Sequence, residues 1–488
     1  MLRGDAPIVL VAPHGGRRDP IARPWGSAPL KMNDLHTGAV TRELAARLGA
    51  SAVINESSDR NDVDLNRISA AHDAAPEFLA ALAGLVEEGL ARHDTIGLLT
   101  VHGWNVVQPA VDVGLGVHPS AEALAGGGGA GVSARFAAGV LATLAARLGQ
   151  SGIAATPGLR YPARARENLV QLFTGRHADD RRAPVRRLAL AAPRVDAVQL
   201  ELSLPLRMPG PWRDAFVAAC VAAFGDRDAP SAWPEWNGAA AGADARVAIE
   251  VVAPGLSALA AIDERGARLL LFPDDGRLLT FTSERVGRHA PDGIAGLRLR
   301  TTPAGAVELS YEGPMLRFPD TTPFVDLERG LASAGPVMAT VALELTPSHH
   351  DADAPCPFGT ATGEARIGDV RHVIRGHGVR VRREPDLGVR TRVGLLLSDG
   401  TGVMADGDTG LVCRAGVHVP IRRCAVDADG PRSRVAIEPS EGPAIEATAD
   451  VVHRLPVVPG VPGAPRLLFA SCRHDGDLAG WLQIRSDS

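Results

Sequence analysis

Three apolar runs, each ending on an ionisable residue, constrain this chain more than anything else in it. Ile8-Val9-Leu10-Val11-Ala12 leads into Pro13-His14-Gly15-Gly16, Ile96-Gly97-Leu98-Leu99-Thr100-Val101 into His102-Gly103, and Val195-Asp196-Ala197-Val198-Gln199-Leu200 into Glu201-Leu202-Ser203. A run that is apolar on both parities needs cover on both faces, which describes a central strand of an α/β sheet and not the half-solvated strand of an antiparallel one. Ionisable residues at the ends of such strands gather along one sheet edge, where open α/β sheets hold their ligands.

Helical patterns alternate with these runs. The segment from about Leu35 to Leu48 carries Val40, Leu44 and Leu48 on one face and stops at Gly49. Ser51–Asn55 reads as a strand, Pro76–Arg92 as a helix opened by proline, and about Ala134–Leu148 and Pro211–Phe224 as further helices. The alternation predicts an α/β layer domain over residues 1–225. Residues 226–244 lose apolar periodicity and read as a linker. From Ala245 short alternating runs such as Arg246–Val251 and Leu297–Thr301 are separated by Asp-Gly and Ala-Gly turns, so residues 245–488 are expected to be β-rich, as one large or two smaller barrels or sandwiches.

A chain of 488 residues exceeds what one core serves, which agrees with this division. Its 51 basic and 56 acidic residues leave a net charge of −5, which argues against a general nucleic-acid binder. The five cysteines, Cys220, Cys356, Cys413, Cys424 and Cys472, are far apart with no Cys-x-x-Cys pair, so neither a disulfide framework nor a thiolate metal site is expected. No run approaches a membrane span, and the apolar stretch after Asp5 is too short for a secretion signal; a cytoplasmic protein with no membrane partner is the expectation.

The strand-end residues suit one chemistry. His14 and His102 are imidazoles followed by glycine, where the backbone turns sharply and a metal can approach, and Asp19 offers a carboxylate five residues after His14. Three such ligands leave a fourth position for water on Zn2+, the arrangement of a mononuclear hydrolase. Glu201, between Leu200 and Leu202 in a buried strand, is the candidate general base. In the polar stretch Asn55–Arg67, Asn66 and Arg67 combine an amide with a planar fork that grips a carboxylate, and Asp64 is placed to orient that fork or a ligand histidine. The glycine run Gly126–Gly131 lacks the Gly-Lys-Ser/Thr ending of a phosphate loop and is expected to be a plain loop, and His349-His350-Asp351 sits in a turn-rich stretch as a weaker metal candidate.

Pro13-His14-Gly15-Gly16, the Arg60…Asp64-Leu65-Asn66-Arg67 run, Val101-His102-Gly103 and Gln199-Leu200-Glu201-Leu202 occur in an order that resembles the N-formylglutamate amidohydrolases, and the first and third also resemble the poly-γ-glutamate hydrolases, both relatives of the zinc carboxypeptidases. The resemblance implies a three-layer α/β fold with a mixed sheet, like that of the zinc carboxypeptidases, zinc ligation by His14 and His102, Glu201 as catalytic base, and a carboxylate-binding set of Arg60, Asn66 and Arg67. For the acidic ligand it leaves two positions, Asp19, which is taken here, and Asp34. The implied substrate is a small acidic amide. In the second half, Gly363–Gly368 and Ile374–Arg380 resemble the lipocalin-like barrels of carotenoid hydratase and AttH-type proteins, although Val381-Arg382-Arg383-Glu384-Pro385 departs from the Asp-His-Ser-Trp-Gly that usually follows. A zinc amidohydrolase domain joined to a β-rich lipocalin-like region is therefore expected. The alternatives are a binding protein for an apolar small molecule with a degenerate hydrolase domain, and a hydratase or isomerase acting in the β half.

Overall fold

The computed structural model describes residues 1–15, 33–225, 247–263, 266–284, 293–319, 327–347, 358–381, 391–397, 401–406, 409–414, 417–427, 432–456, 466–474 and 477–486. Gly16, Asp19, the 226–244 linker and the His349-His350-Asp351 cluster lie outside the described residues. The chain divides into two compact units, one made of the described residues up to Gly225 and the other of those from Val247 onward.

The first unit is built on a six-stranded mixed sheet. Strands β1 (Ile8–Ala12), β2 (Ser51–Ile54), β3 (Ile96–Trp104), β4 (Ala110–Gly114), β5 (Ala154–Thr156) and β6 (Val195–Ser203) lie in the order β2-β1-β3-β6-β4-β5. β2, β1, β3 and β6 run parallel, and β4 runs antiparallel to β6. The double-sided apolar pattern of the strands has the expected physical cause. On β1, Ile8 and Leu10 enter one core with Leu99, Val101, Val198 and Leu200, while Val9 and Val11 enter a second core with Leu98 and Ala197.

Helices supply the other side of each core. Helix α1 (Thr37–Leu48) places Val40 and Leu44 on the first and ends at Gly49, whose φ of 62° and N–H bond to the Ala45 carbonyl close the last turn. The Pro211–Gly225 helix adds Phe216, Val217 and Cys220 to the same core. Helix α2 (Ile68–Ala74) and helix α3 (Pro76–Arg92) cover the opposite face through Ile68, Leu79, Leu82 and Val86. The helix expected at Ala134–Leu148 is interrupted: Ala137–Leu141 is a π-helical segment leading into Ala142–Gln150.

The second unit is β-rich. Ten strands between Val247 and Val381 form one sheet in which the first, Val247–Val252, pairs antiparallel with the last, Val370–Val381, setting Val251 opposite Gly378. A short extra pairing joins Leu278–Thr280 to Leu316–Phe318, while Gly293–Ile294 and Leu297–Thr301 continue at the far end of the order, so this sheet curls without forming a simple ring. Val307–Phe318 and Gly335–Pro347 show the inside-outside alternation of a sheet with one buried face. The last eight strands, Thr391–Leu396 to Asp477–Ser486, return on themselves, with Val393 opposite Leu482. Val393, Leu395, Val403, Val412, Val435 and Ile437 fill that sheet's core. The expectation of two lipocalin-like barrels thus reduces to a β-rich region of two antiparallel sheets.

Candidate active site

The turn after β1 carries His14 and is held by β2. The Asn55 side-chain amide donates to the Pro13 carbonyl at 2.9 Å, and its backbone N–H donates to the Ala12 carbonyl at 2.9 Å. Gly15 lies so close to β2 that an added Cβ would fall 1.5 Å from the Asn55 carbonyl oxygen, so no larger residue fits. Its own carbonyl accepts from the Gly38 N–H at 2.7 Å, which joins the turn to the start of α1. His102 sits on β3 with Glu201 of β6 as its direct neighbour in register, and Glu201 in turn faces Asp112 of β4.

The segment ahead of α1 brings Asp34 between the two histidines. The Thr37 hydroxyl donates to the Asp34 carbonyl at 2.6 Å, and His36, the residue before the helix, takes a left-handed conformation with φ of 65°. Asp34 Oδ2 lies 2.9 Å from His14 Nδ1 and 3.1 Å from His102 Nδ1, and Arg60 Nη1 donates to Oδ1 at 2.9 Å. The far nitrogen of His14, Nε2, meets Asp64 Oδ1 at 2.8 Å. Asp64 also accepts from the Asn66 N–H at 3.2 Å and from Arg67 Nε at 3.4 Å. His14, Asp34 and His102 are all buried, and one ligand atom from each lies within 4.8 Å of the others.

Burial governs the charge states and the partners then decide them. Desolvation pulls the His14 imidazole down, but the Asp34 charge and the hydrogen bonds to Asp34 and Asp64 outweigh it, and the pKa rises above its ordinary value. Burial pushes the Asp34 carboxyl up, yet the His14 charge and the donors from His102, His14 and Arg60 hold it well below the usual carboxylate range. His102, where burial prevails over its Asp34 contact, is held low. Glu201 is pushed up to about 8, first by burial and then by the charges of Asp34 and Asp112, against the pull of His14 and Arg60.

Glu201 is positioned by an amide relay. Asn168 Nδ2 donates to Gln199 Oε1 at 2.7 Å, and Gln199 Nε2 donates to Glu201 Oε1 at 2.8 Å. Asn168 is itself bridged through the backbone to Arg67, so the relay ties the base to the stretch that carries Asn66 and Arg67.

The donor set fits a zinc ion. Two nitrogens and a carboxylate oxygen match zinc's preferred ligands, and donors about 2 Å from a tetrahedral ion lie roughly 3.3 Å from one another, close to the spacings around Asp34 Oδ2. A carboxylate behind a ligand histidine is the usual support for a metal-bound ring, and Asp64 stands there behind His14. The spacings around Asp34 Oδ2 are made by the Nδ1 atoms of both histidines; His102 Nε2, on the opposite side of its ring, is buried with no hydrogen-bond partner among the described residues.

The structure therefore brings together His14, His102, Glu201, Asp64, Arg60 and, of the two acidic positions, Asp34. Asp34 lies between the two imidazoles, while Asp19, the position taken for the acidic ligand, lies outside the described residues. Asn66 and Arg67 lie one shell farther out: Arg67 has a side chain 59% exposed, and Asn66 Oδ1 is buried without a partner. Arg60 points at Asp34 and so serves the cluster more directly than a substrate clamp does. Sequence reasoning missed Gln199 and Asn168 as supports and Arg207 altogether. The even spacing of Gln199 and Glu201 on one strand face was the only signal for the first; the others are brought in by tertiary packing.

No family model matches the chain, and no curated protein matches it. Among solved structures, the N-formylglutamate amidohydrolase from Ralstonia eutropha JMP134 is 15% identical with a TM-score of 0.33, over 46% of this chain and 93% of that one. CghA with Sch210972 is 10% identical with a TM-score of 0.28, over 50% of this chain and 88% of that one. Kievitone hydratase from Nectria haematococca is 9% identical with a TM-score of 0.24, over 50% and 89%. None of these matches assigns the chain to a family.

Proposed function

We propose that the first unit is a zinc-dependent hydrolase that cleaves the amide bond of an N-acyl, N-formyl or γ-linked acidic amino acid. The observation that carries the reading is the buried His14, Asp34, His102 cluster at the sheet edge, with Glu201 beside His102 on the neighbouring strand. His14, Asp34 and His102 would hold the ion, with Asp34 in the role first given to Asp19. Bound there, zinc would acidify water and polarise the amide carbonyl.

The chain's own residues do the rest. Glu201 takes the proton from the attacking water and returns it to the leaving amine, while Gln199 keeps one of its oxygens in place. Asp64 fixes the His14 ring, and Asn66 and Arg67 receive the substrate's carboxylate at the outer rim, where Arg67 is exposed. The second unit is read as paired lipocalin-like barrels, which the closure of its last eight strands supports, and an apolar small molecule is the ligand class it would take. A cytoplasmic setting is consistent with the buried free thiols of Cys220 and Cys424, and no helix among the described residues is long and apolar enough to cross a membrane.

Metal content tests the reading directly. The purified chain is expected to hold about one zinc, and a His14→Ala/His102→Ala double variant to hold none, after which N-formyl, N-acyl and γ-glutamyl substrates are assayed. A wild-type protein that takes up no zinc on incubation would end the proposal.

A further inference from the structure

Arg207 is a fully buried arginine that the proposed reaction leaves unused. It closes the short Leu204–Arg207 helix that follows β6, whose first N–H is anchored to the Val106 carbonyl at 3.0 Å. From there the guanidinium joins two separate pieces of the cluster. Nη1 donates to the Leu35 carbonyl at 2.7 Å, one residue from Asp34. Nη2 donates to the Trp104 carbonyl at 3.3 Å and to Asn105 Oδ1 at 2.8 Å, just past His102. Gly103 lies directly beneath, and a Cβ there would come within 2.5 Å of Arg207 Nη1 and 3.0 Å of Asp34 Cβ. The glycine after His102 is thus required by the close approach of Arg207 and Asp34.

An arginine is expensive to bury and persists only where its donors are used. Here Nη1 and Nη2 are used on the Leu35 and Trp104 carbonyls and on Asn105 Oδ1, which ties the Asp34 loop to the end of the His102 strand, while Nε is buried with no partner among the described residues. Neither piece is otherwise bonded to the other except through Asp34 Oδ2 and His102 Nδ1 among the hydrogen bonds described above. We infer that Arg207 is a positioning residue that holds the Asp34 loop against the His102 strand and thereby sets the affinity of the cluster for a divalent cation. This rests on the metal-site reading of His14, Asp34 and His102.

The sign of the effect separates positioning from charge. A buried cation beside a metal site repels the ion, so on charge alone Arg207→Met would bind zinc more tightly. Positioning requires the opposite. Zinc affinity is measured on the full chain by competition with a chromophoric chelator, and amide exchange of residues 33–37 and of the Ala142–Gln150 helix by mass spectrometry. Arg207→Met is expected to bind zinc about 10- to 100-fold more weakly, with faster exchange at 33–37 and an unchanged Ala142–Gln150 helix. Arg207→Lys, which keeps the charge and part of the donor set, is expected between the two. Zinc binding as tight as wild type or tighter in Arg207→Met, or unaltered exchange at 33–37, overturns the inference. If wild type binds no zinc, the metal reading falls and exchange alone decides whether Arg207 positions the Asp34 loop. If Arg207→Met does not fold, Gly103→Ala strains the same contact and carries the same expectations.

Discussion

Glu201 shows how one residue's chemistry follows from its place. A carboxyl buried next to two other carboxylates keeps its proton to about pH 8, against an ordinary 4.5. Between those values the folded, metal-free chain holds a proton that the unfolded chain has released, so this group's contribution to stability is largest below about pH 4.5 and declines as pH rises to 8. Melting of chelator-treated protein is therefore expected to show a steeper loss over this range in wild type than in Glu201→Gln; equal slopes would remove Glu201 as the cause. In zinc-loaded protein the same substitution should leave the metal bound and cut kcat by roughly 10²- to 10⁴-fold, with comparable turnover excluding Glu201 as the base. His14, His102 and Glu201 were legible because each interrupts or ends an apolar strand, a pattern that survives in one dimension. Asp34 was visible only as an alternative, and Arg207 not at all, because their relation to the histidines is made by the loop before α1 and the helix after β6.

At the scale of elements, β4 is the least predictable and the most telling. Ala-Val-Asp-Val-Gly is short and carries a fully buried acid, so its periodicity gave no strand signal, and β5 is only Ala154–Thr156. The acid makes the pair possible. Asp112 accepts from the Thr156 hydroxyl at 2.6 Å and from the backbone N–H groups of Leu159, Arg160 and Tyr161 at 2.9, 2.9 and 2.6 Å, so one carboxylate caps a whole loop. Removing it strands three backbone donors, each costing about 1–3 kcal/mol when buried and unpaired. Denaturant titration is expected to show a loss of about 3 kcal/mol or more for Asp112→Ala, with Asp112→Asn in between because one of its two acceptor oxygens becomes a donor. A loss below about 1 kcal/mol would mean that water replaces the carboxylate. The long helices and the parallel strands, by contrast, were legible, since Pro76–Arg92 and Ile96–Trp104 each carry an unbroken pattern of the right period.

The whole molecule joins two units that owe their cores to different physics. In the first, helices cover both faces of a sheet; in the second, antiparallel strands alternate around cores such as that of Val393, Leu395 and Ile437. The change in period after Phe224 made this division readable, whereas the strand order of the β half was not, because alternation fixes faces and not partners. If zinc belongs to the His14, Asp34, His102 cluster, its binding free energy enters only the unfolding of the first unit. Calorimetry of the full chain should then show two transitions, of which zinc raises one. Zinc in 100-fold excess over its Kd adds about 2.7 kcal/mol to that transition. The transition that zinc leaves in place should coincide with the melting of residues 245–488 expressed alone. A single transition, or two that both move with zinc, would show that the units unfold as one and that the metal stabilises the β half as well.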